Sequence, residues 1–154
     1  MKVNSNYKQA SVLIVEDNDD QWLVMRQALQ LGLPEVKAKR VTSADEALCV
    51  LREGYREIFE LPRLIFLDLY LPGKQDGLAL HSDIKELGAP FTHIPVVMFS
   101  SSEDRHDICQ AYQNGISSYL VKPTTVEGWI EFFKQVRAYW WDTARLPSLT
   151  NHVF

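Results

Sequence analysis

Short apolar runs alternate along the chain with longer segments in which apolar residues recur every three or four positions. A short apolar run bounded by turn residues indicates a buried strand, and the longer recurrence indicates an amphipathic helix. Strands are predicted over 11–15, 36–41, 64–69, 94–100 and 117–123. Since each of these runs precedes a helical pattern, the sequence predicts five consecutive strand–helix units.

Capping residues and helix breakers mark where the predicted helices begin and end. Three pairs have the spacing of an N-terminal cap, in which a short polar side chain is followed three residues later by a longer one. These pairs are Asn18 with Gln21, Ser43 with Glu46, and Thr124 with Glu127. Two further helices are predicted over 77–87 and 103–115, and the second of them ends at Gly115. The segment 54–60 is expected to lengthen the second helix or to add a short turn.

Regular alternation of strands and helices is typical of a parallel sheet with helices on both faces. Five units in 154 residues favour an open sheet, because an eight-unit barrel needs about 250 residues. The predicted fold class is therefore α/β, with a doubly wound five-stranded parallel sheet in three α/β/α layers. The domain is expected to cover 10–141, after a flexible N-terminus at 1–9 and before a tail at 142–154 that is too short for an output domain.

Composition and charge narrow the class of protein. Hydrophobic residues make up 46% of the chain and charged residues 23%, as in an ordinary globular domain. The net charge of −4 disfavours nucleic acid as a partner, which would need a clustered basic face. No apolar run has the length of a membrane span, and the polar start lacks the apolar middle of a signal peptide. The protein is therefore expected to have no membrane partner. Cys49 and Cys109 form no CxxC pair, so they are expected to be buried thiols in a reducing cytoplasm.

Charged and polar residues stand at the predicted carboxyl ends of four strands. They are Glu16 and Asp17 after the first strand, Asp68 after the third, Ser100 after the fourth and Lys122 after the fifth. The carboxyl ends of parallel strands share one edge of the sheet, which is where doubly wound folds bind their ligands. A charge at the end of a core strand is costly unless it is paired, metal-bound or chemically used. These residues are therefore candidates for a functional site.

Crowded carboxylates favour a hard divalent cation. Mg²⁺ binds a few carboxylates together with water and a phosphate oxygen, and carboxylates also act as nucleophiles that form aspartyl phosphates. Lysine and Mg²⁺ are common electrostatic partners in phosphoryl transfer. The residues therefore predict a site that holds a phosphoryl group on a carboxylate, with Mg²⁺ and Lys122 offsetting its charge.

Each of these residues also has a simpler explanation. Glu16 and Asp17 could form the acidic first turn of a helix, which the helix dipole favours. Ser100 could cap the next helix, and Lys122 could be an ordinary solvated lysine. Chance would then have to place all of them at the ends of the correct strands, so the combined site is the preferred interpretation.

The motifs “VLIVEDN”, “LIFLDLYLPG”, “PVVMFSSS” and “NGISSYLVKP” together resemble those of two-component response-regulator receiver domains, over roughly residues 10–140. The resemblance implies the flavodoxin-like strand order 2-1-3-4-5. It implies a signalling protein rather than an enzyme, since the chain would catalyse only its own phosphotransfer and dephosphorylation. The partner would be a sensor histidine kinase, and the sequence most resembles single-domain receivers paired with phytochrome-type kinases.

The resemblance assigns the phosphoacceptor and the metal ligands. Asp68 would accept the phosphoryl group. Asp17 and Asp68 would bind Mg²⁺ together with the backbone carbonyl of Tyr70, and Glu16 would act through water. Mg²⁺ is therefore the cofactor that the resemblance implies.

Three residues are assigned to the switch that follows phosphorylation. Ser100 would close on the phosphoryl group, and Lys122 would pair with it. Tyr119, three residues before Lys122, would change its rotamer in the active state. The peptide bond from Lys122 to Pro123 is expected to be cis. The chain departs from the family pattern in the loop “PGKQDG”, which carries one extra residue.

Other interpretations fit less well. A haloacid-dehalogenase-like phosphatase would need a second acid at the position of Tyr70, and a flavodoxin would need a phosphate loop where “EDNDDQ” would repel phosphate. A pseudo-receiver that binds partners without phosphorylation is the alternative, although it would lack a key residue and none is missing here. The four histidines show no metal-ligand spacing and are expected at the surface.

Aromatic residues are concentrated in the last predicted helix. They are Trp129, Phe132, Phe133, Tyr139, Trp140 and Trp141. One helix can pack only some of them against the sheet, and large exposed apolar patches usually mark contacts. The pattern predicts a homodimer through the last helix and tail, with packing in the core or tail as the alternative.

Overall fold

The computed structural model describes residues 5–7, 10–56 and 61–147. Five parallel strands form one sheet: β1 Ser11–Val15, β2 Lys37–Val41, β3 Leu64–Asp68, β4 Val96–Ser100 and β5 Ser118–Val121. Their order across the sheet is β2-β1-β3-β4-β5, and every neighbouring pair is parallel. The predicted fold class and strand order are confirmed.

Each strand leads into a helix. The helices are α1 Asp19–Gly32, α2 Ala44–Arg56, α3 Lys74–Glu86, α4 Arg105–Gln113 and α5 Val126–Val136. α5 continues into a π-helical segment, Arg137–Thr143, and short 3₁₀ turns occupy Ser5–Tyr7 and Phe91–His93. The predicted extension over 54–60 is confirmed as far as Arg56, and its remainder lies outside the described residues. None of the described helices is both long and apolar enough to span a membrane.

Side-chain caps begin the helices where the sequence pattern predicts them, with one exception. Asn18 and Ser43 each accept a hydrogen bond from the backbone N–H three residues further on, at 2.8 and 3.2 Å, so the predicted caps of α1 and α2 are confirmed. The cap of α5 is Thr125 rather than Thr124. The reason is geometric, because it is the Thr125 hydroxyl that reaches the Gly128 N–H, at 2.9 Å.

Both faces of the sheet are apolar, and helices cover each of them. The face that packs with α1 and α5 carries Val12, Ile14, Leu64, Phe66, Val97 and Phe99. The face that packs with α2, α3 and α4 carries Leu13, Val15, Ile65, Leu67 and Met98. β3 and β4 are buried along their whole length. The polar residues that end these two strands, Asp68 and Ser100, are therefore positioned by the core itself.

The aromatic residues of α5 and the π-helical segment divide between the core and the surface. Three of them are buried: Trp129, Phe133 and Trp141. Phe132 and Trp140 are partly buried, and Tyr139 is 58% exposed. Core packing therefore accounts for half of the aromatic cluster, and the rest lies beside the edge strand β5.

The N-terminal turn packs against the end of the described chain. The buried Asn6 side chain donates from Nδ2 to the carbonyl oxygens of Trp141 and Ala144, at 3.0 and 2.6 Å, and its Oδ1 accepts from the Leu146 N–H at 3.0 Å. The N-terminus at 1–9 is predicted to be flexible, but the turn Ser5–Tyr7 within it is anchored by the contacts of Asn6. The predicted domain boundaries stay a prediction.

Asn6→Ala is expected to lower the free energy of unfolding by about 1–3 kcal/mol, the usual cost of leaving buried backbone groups without partners. Thermal unfolding followed by circular dichroism measures this effect. Asn6→Asp is the matched variant, because it keeps the size and the acceptor for the backbone N–H but turns a carboxylate oxygen towards two carbonyls. Wild-type stability in Asn6→Asp would show that these hydrogen bonds are not what holds the turn.

Three predictions about individual side chains are wrong. Cys49 and Cys109 are exposed, because they lie on the solvent sides of α2 and α4, whereas Ala47 and Ala111 of the same helices face the core. His81 of α3 is buried rather than at the surface, since its ring nitrogen meets a side-chain amide at the end of α4, 2.9 Å away.

Candidate functional site

The predicted site residues meet at one edge of the sheet. Glu16 and Asp17 follow β1, Asp68 ends β3, Ser100 ends β4, and Lys122 follows β5. Four of these five side chains are buried, and Asp17 is exposed. The site therefore has a buried floor of charged groups and one carboxylate at its opening.

The Lys122 ammonium group lies at the centre of this floor and uses all three of its N–H donors. Its Nζ donates to Glu16 Oε1 at 2.7 Å, to Asp68 Oδ2 at 2.8 Å and to Gln21 Oε1 at 2.7 Å. The side chains of Glu16 and Asp68 are 0% and 8% exposed, so both ion pairs are shielded from water. Removing the ammonium group would leave two buried carboxylates without a counter-charge.

Three carboxylates converge beside Lys122. One oxygen from each of Glu16, Asp17 and Asp68 lies within 4.8 Å of the others. Burial raises the pKa of Glu16, Lys122 opposes this effect, and the charge of Asp68 adds to it. The single ammonium group does not balance three carboxylates. An oxygen-rich cluster with excess negative charge is what Mg²⁺ prefers, so these residues fit a magnesium ion.

The two carboxylate oxygens of Asp68 have different surroundings. Oδ2 accepts from Lys122, while Oδ1 accepts a hydrogen bond from the Tyr70 backbone N–H at 3.1 Å. The Tyr70 side chain extends away to α4, where its hydroxyl donates to Asp107 at 2.9 Å. The role of the Tyr70 carbonyl as a metal ligand stays a prediction.

Ser100 and Tyr119, the predicted switch residues, both form hydrogen bonds with Ser102. The Ser102 N–H donates to Ser100 Oγ at 3.1 Å, and the Tyr119 hydroxyl donates to the Ser102 carbonyl at 2.8 Å. Ser100 is buried at the end of β4, and Tyr119 lies on β5. Both residues are therefore tied to the same turn between β4 and α4.

Sequence patterns do not single out two residues at this edge. Gln21 has the spacing of a capping partner, but only its backbone N–H is capped, and its side chain turns to Lys122. Arg40 of β2 donates from Nε to the Glu16 carbonyl at 2.9 Å and forms an ion pair with Asp19 at 2.7 Å. Arg40 thereby ties the loop between β1 and α1 to β2. The alternation of basic residues along β2 does not predict the contacts of Arg40 with Glu16 and Asp19.

The expected cis peptide bond at Lys122–Pro123 is wrong. The cis peptide bonds among the described residues are Leu71–Pro72 and Ala89–Pro90. The Lys122 N–H donates to the Ser100 carbonyl at 2.8 Å, which continues the pairing of β5 with β4. From this backbone position the ammonium group reaches Asp68, so the other isomer is not needed to form the ion pair.

The comparison with protein families matches residues 12–133 to the response regulator receiver domain. The matched segment contains β1 from Val12 onwards, the other four strands and the acidic residues at the edge of the sheet. The chain belongs to the response regulator receiver family of two-component systems, for which phosphorylation and Mg²⁺ are characteristic. The family that the sequence motifs resemble is confirmed.

Three similar proteins cover nearly the whole domain. FilR2, a probable methanogenesis regulatory protein of Methanothrix harundinacea, is 34% identical over 138 residues, which are 89% of this chain and 87% of FilR2. The Mn²⁺-bound structure of the response regulator Rcp1, a protein of Synechocystis, is 26% identical with a TM-score of 0.75. The phosphorylated cyanobacterial phytochrome response regulator RcpA is 31% identical with a TM-score of 0.78. Each of these two comparisons covers 90% of this chain and 99% of the chain in the solved structure.

Proposed function

We propose that this protein is a single-domain response regulator that accepts a phosphoryl group on Asp68 from a sensor histidine kinase and signals through contacts with other proteins. The observation that carries the proposal is the ion pair of Asp68 with Lys122 inside a cluster of three carboxylates. Membership in the receiver family supports it, as does the likeness to RcpA, which is phosphorylated in its solved structure.

In the proposed reaction, an oxygen of the Asp68 carboxylate attacks the phosphorus atom of a phosphohistidine on the kinase. The bond between phosphorus and the imidazole nitrogen breaks, its electron pair stays on the imidazole, and an acyl phosphate forms on Asp68. In hydrolysis, water attacks the same phosphorus atom and the Asp68 carboxylate is the leaving group. Inorganic phosphate is then released and the resting carboxylate is restored.

Lys122 is proposed to change its partner during this reaction and to pair with the more negative oxygen at each stage. Before transfer, its ammonium group offsets the charge of the Asp68 carboxylate. After transfer, the acyl oxygen is much less negative and the phosphoryl oxygens are the stronger acceptors, so Lys122 pairs with one of them. Ser100 moves towards the phosphoryl group as well, and Tyr119 is coupled to that movement through their shared partner, Ser102.

Glu16, Asp17 and Asp68 are proposed to hold Mg²⁺, with the backbone carbonyl of Tyr70 as a further ligand and Glu16 acting through water. When bound, Mg²⁺ supplies positive charge that offsets the phosphoryl oxygens. Asp17 is the exposed member of the cluster, so the metal enters from its side of the site.

Asp17→Asn is expected to weaken Mg²⁺ binding by about tenfold or more, since even residues that only orient metal ligands typically contribute that much. Isothermal titration calorimetry measures the affinity. Asp20→Asn is the matched control, because Asp20 is an exposed acid in the first turn of α1 and lies outside the carboxylate cluster. Equal affinities in the two variants would contradict the proposed metal site.

The proposed phosphoryl donor is a phytochrome-type histidine kinase in the cytoplasm. The description of RcpA as a phytochrome response regulator supports the type of kinase. The free thiols of Cys49 and Cys109 suit a reducing compartment, which supports the cytoplasm.

We also propose that the protein forms a homodimer through its last helix and tail, on the surface that α5 and the π-helical segment form beside β5. β5 is an edge strand of the sheet. Beside it runs a groove of about 440 Å³ whose apolar lining includes Leu120, Val121, Phe132, Val136, Tyr139 and Trp140. A second copy of the chain is the proposed occupant, because a two-fold pair buries the same apolar patch twice.

Tyr139→Ala is expected to weaken this dimer by about 2 kcal/mol or more if the ring is an interface hot spot. Sedimentation velocity across a concentration series measures the dissociation constant. Leu31→Ala removes a similarly exposed apolar side chain from α1 and should leave the constant unchanged. A wild-type protein that stays monomeric at high micromolar concentration, with and without beryllofluoride, would rule out the homodimer.

A further inference from the structure

The Lys122 ammonium group has a third partner besides its two ion pairs. Glu16 and Asp68 accept two of its three N–H groups. Gln21 Oε1 accepts the third at 2.7 Å, and the centre of the Phe99 ring lies 4.9 Å from Nζ. An ammonium group offers no acceptor, so the Gln21 amide must turn its oxygen rather than its nitrogen towards Lys122. The orientation of the Gln21 side chain is therefore defined by this contact.

The backbone of Gln21 is held by the cap of α1. Its N–H donates to Asn18 Oδ1 at 2.8 Å, and the Asn18 N–H donates to Glu16 Oε2 at 3.3 Å. The other oxygen of Glu16, Oε1, accepts from Lys122. These contacts form a closed ring of four residues, Glu16, Asn18, Gln21 and Lys122. The start of α1 and the ammonium group of Lys122 are thus joined twice, once through Glu16 and once through Gln21.

Three acceptors fix the place of an ammonium nitrogen, whereas two do not. With Glu16 and Asp68 alone, Nζ could swing about the line between their two accepting oxygens and keep both ion pairs. Gln21 lies in a third direction, because the three N–H bonds of an ammonium group diverge. A lysine side chain is a flexible four-carbon stem. The contact with Gln21 therefore removes a freedom of movement that the two ion pairs leave.

We propose that Gln21 is a positioning residue that fixes the Lys122 ammonium group beside Asp68 and thereby speeds the phosphorylation of Asp68. This inference rests on the proposed function of Asp68. Charged groups that are already in place stabilise a transition state without having to reorganise during the reaction. Lys122 brings a positive charge to Asp68, at 2.8 Å from Oδ2. Gln21 acts through Lys122, since it is the Lys122 ammonium group that contacts Asp68.

The test compares Gln21→Met and Gln21→Glu with wild type. Methionine has nearly the length of glutamine but offers no oxygen, and glutamate keeps an oxygen that can accept from Lys122. Gln27→Met is the matched control, because Gln27 is exposed on the same helix. Gln21 is only partly buried, so both variants are expected to fold.

The first measurement is the exchange of the Lys122 ammonium hydrogens with water, followed by nuclear magnetic resonance without metal or phosphoryl donor. Lys122→Ala identifies the signal. Gln21→Met is expected to raise the exchange rate about tenfold or more, the effect of losing one hydrogen bond of a charged group. Gln21→Glu and Gln27→Met should keep the slow exchange of wild type.

Three results of this measurement would overturn the proposal. The first is a wild-type exchange rate in Gln21→Met, and the second is exchange in Gln21→Glu or Gln27→Met that is as fast as in Gln21→Met. The third is a wild-type protein without a slowly exchanging Lys122 signal.

The second measurement is the initial rate of Asp68 phosphorylation by acetyl phosphate at saturating Mg²⁺, with the Mg²⁺ affinity measured separately. Gln21→Met is expected to react about three- to tenfold more slowly than wild type, the range that one net hydrogen bond gives, at unchanged Mg²⁺ affinity. Gln27→Met should match wild type.

Faster ammonium exchange with a wild-type rate of phosphorylation would show that Gln21 holds Lys122 without effect on the reaction, and the positioning role would fail. Weaker Mg²⁺ binding in Gln21→Met would also overturn the proposal, because Gln21 would then act on the metal site. If the wild-type protein is not phosphorylated at all, the proposed function fails, and the exchange rates still decide whether Gln21 fixes Lys122.

Discussion

Asp68→Asn is expected to abolish phosphoryl transfer from acetyl phosphate and from a histidine kinase. An amide oxygen is a much poorer nucleophile than a carboxylate oxygen, and it brings no charge to a metal ion. Among the three clustered carboxylates, Asp68 is the one whose oxygens contact both Lys122 and the Tyr70 N–H. Phosphate-affinity gel electrophoresis should show a shifted band for wild type with donor and Mg²⁺, and none for the variant.

The same substitution is expected to stabilise the unphosphorylated protein when no metal is present. Glu16 and Asp68 share one buried ammonium group, and the charge of Asp68 contributes to the raised pKa of Glu16. Neutralising Asp68 relieves this repulsion. In a chain of this size, each 1 kcal/mol gained raises the unfolding midpoint by about 2–4 °C. Differential scanning calorimetry in EDTA measures the shift.

Asp45→Asn is the matched control for both effects, because Asp45 is an exposed acid of α2 away from the site. This control should be phosphorylated and should unfold like wild type. Labelling of Asp68→Asn at the wild-type rate would place the acceptor elsewhere. A lower unfolding midpoint in Asp68→Asn would show that the ion pair with Lys122 outweighs the repulsion between the carboxylates.

Lys122→Ala is expected to separate metal binding from switching. The carboxylates that are proposed to bind Mg²⁺ remain, so Mg²⁺ binding should persist. The ammonium group that is proposed to pair with the phosphoryl oxygens is gone, so the movement of Ser100 and Tyr119 should be lost. Nuclear magnetic resonance spectra with beryllofluoride report that movement. Shifts at Ser100 and Tyr119 that equal those of wild type would show that Lys122 is not part of the switch.

Lys122→Ala should also be less stable than wild type near neutral pH and without metal. Breaking a buried ion pair by removing one partner typically costs about 3–5 kcal/mol, since the other charge stays buried. Lys122 lowers the pKa of Glu16, which burial raises, so the pKa of Glu16 should be higher still in the variant. The deficit should therefore be largest above that pKa and shrink as the pH falls and the carboxyl group takes up a proton. Lys122→Met keeps most of the side-chain volume and shows how much of the loss is due to the cavity.

The strand ends could be predicted from the sequence because they follow from topology alone. Once the alternation of strands and helices indicates a parallel sheet, all strands must end at one edge, and Asp68, Ser100 and Lys122 must stand there. The buried runs that end in Asp68 and Ser100 are strands covered on both faces, which a continuous apolar run indicates. This is why the fold and the membership of the site follow from local patterns.

The contacts between segments could not be predicted in the same way. Gln21 has the spacing of a capping partner, but its side chain accepts a hydrogen bond from Lys122. Asp107 lies in the first turn of α4, but its carboxylate accepts hydrogen bonds from Ser102 and Tyr70. These contacts depend on which loops meet across the sheet edge, and no local periodicity encodes that. The prediction that Cys49 and Cys109 are buried fails for a related reason. Cysteine is often buried, but the face of the helix on which a residue lies determines its exposure.

The positions of the aromatic residues after β5 could be predicted from the sequence only in part. Their density predicts that one helix cannot bury them all, and Tyr139 is indeed exposed. Trp129 and Phe133 are buried in α5, and Trp141 is buried in the π-helical segment that follows Val136. The sequence carries no clear signal for that change in helix type.

The central claim is that Asp68 accepts a phosphoryl group in a reaction that requires Mg²⁺. Mass spectrometry of the intact wild-type protein after incubation with acetyl phosphate tests it most directly. With Mg²⁺, the account predicts that one phosphoryl mass is added and that peptide mapping places it on Asp68. With EDTA in place of Mg²⁺, it predicts no addition. An unmodified protein in the presence of Mg²⁺, or a phosphoryl group on another residue, would contradict the account and favour a pseudo-receiver that binds its partners without phosphorylation.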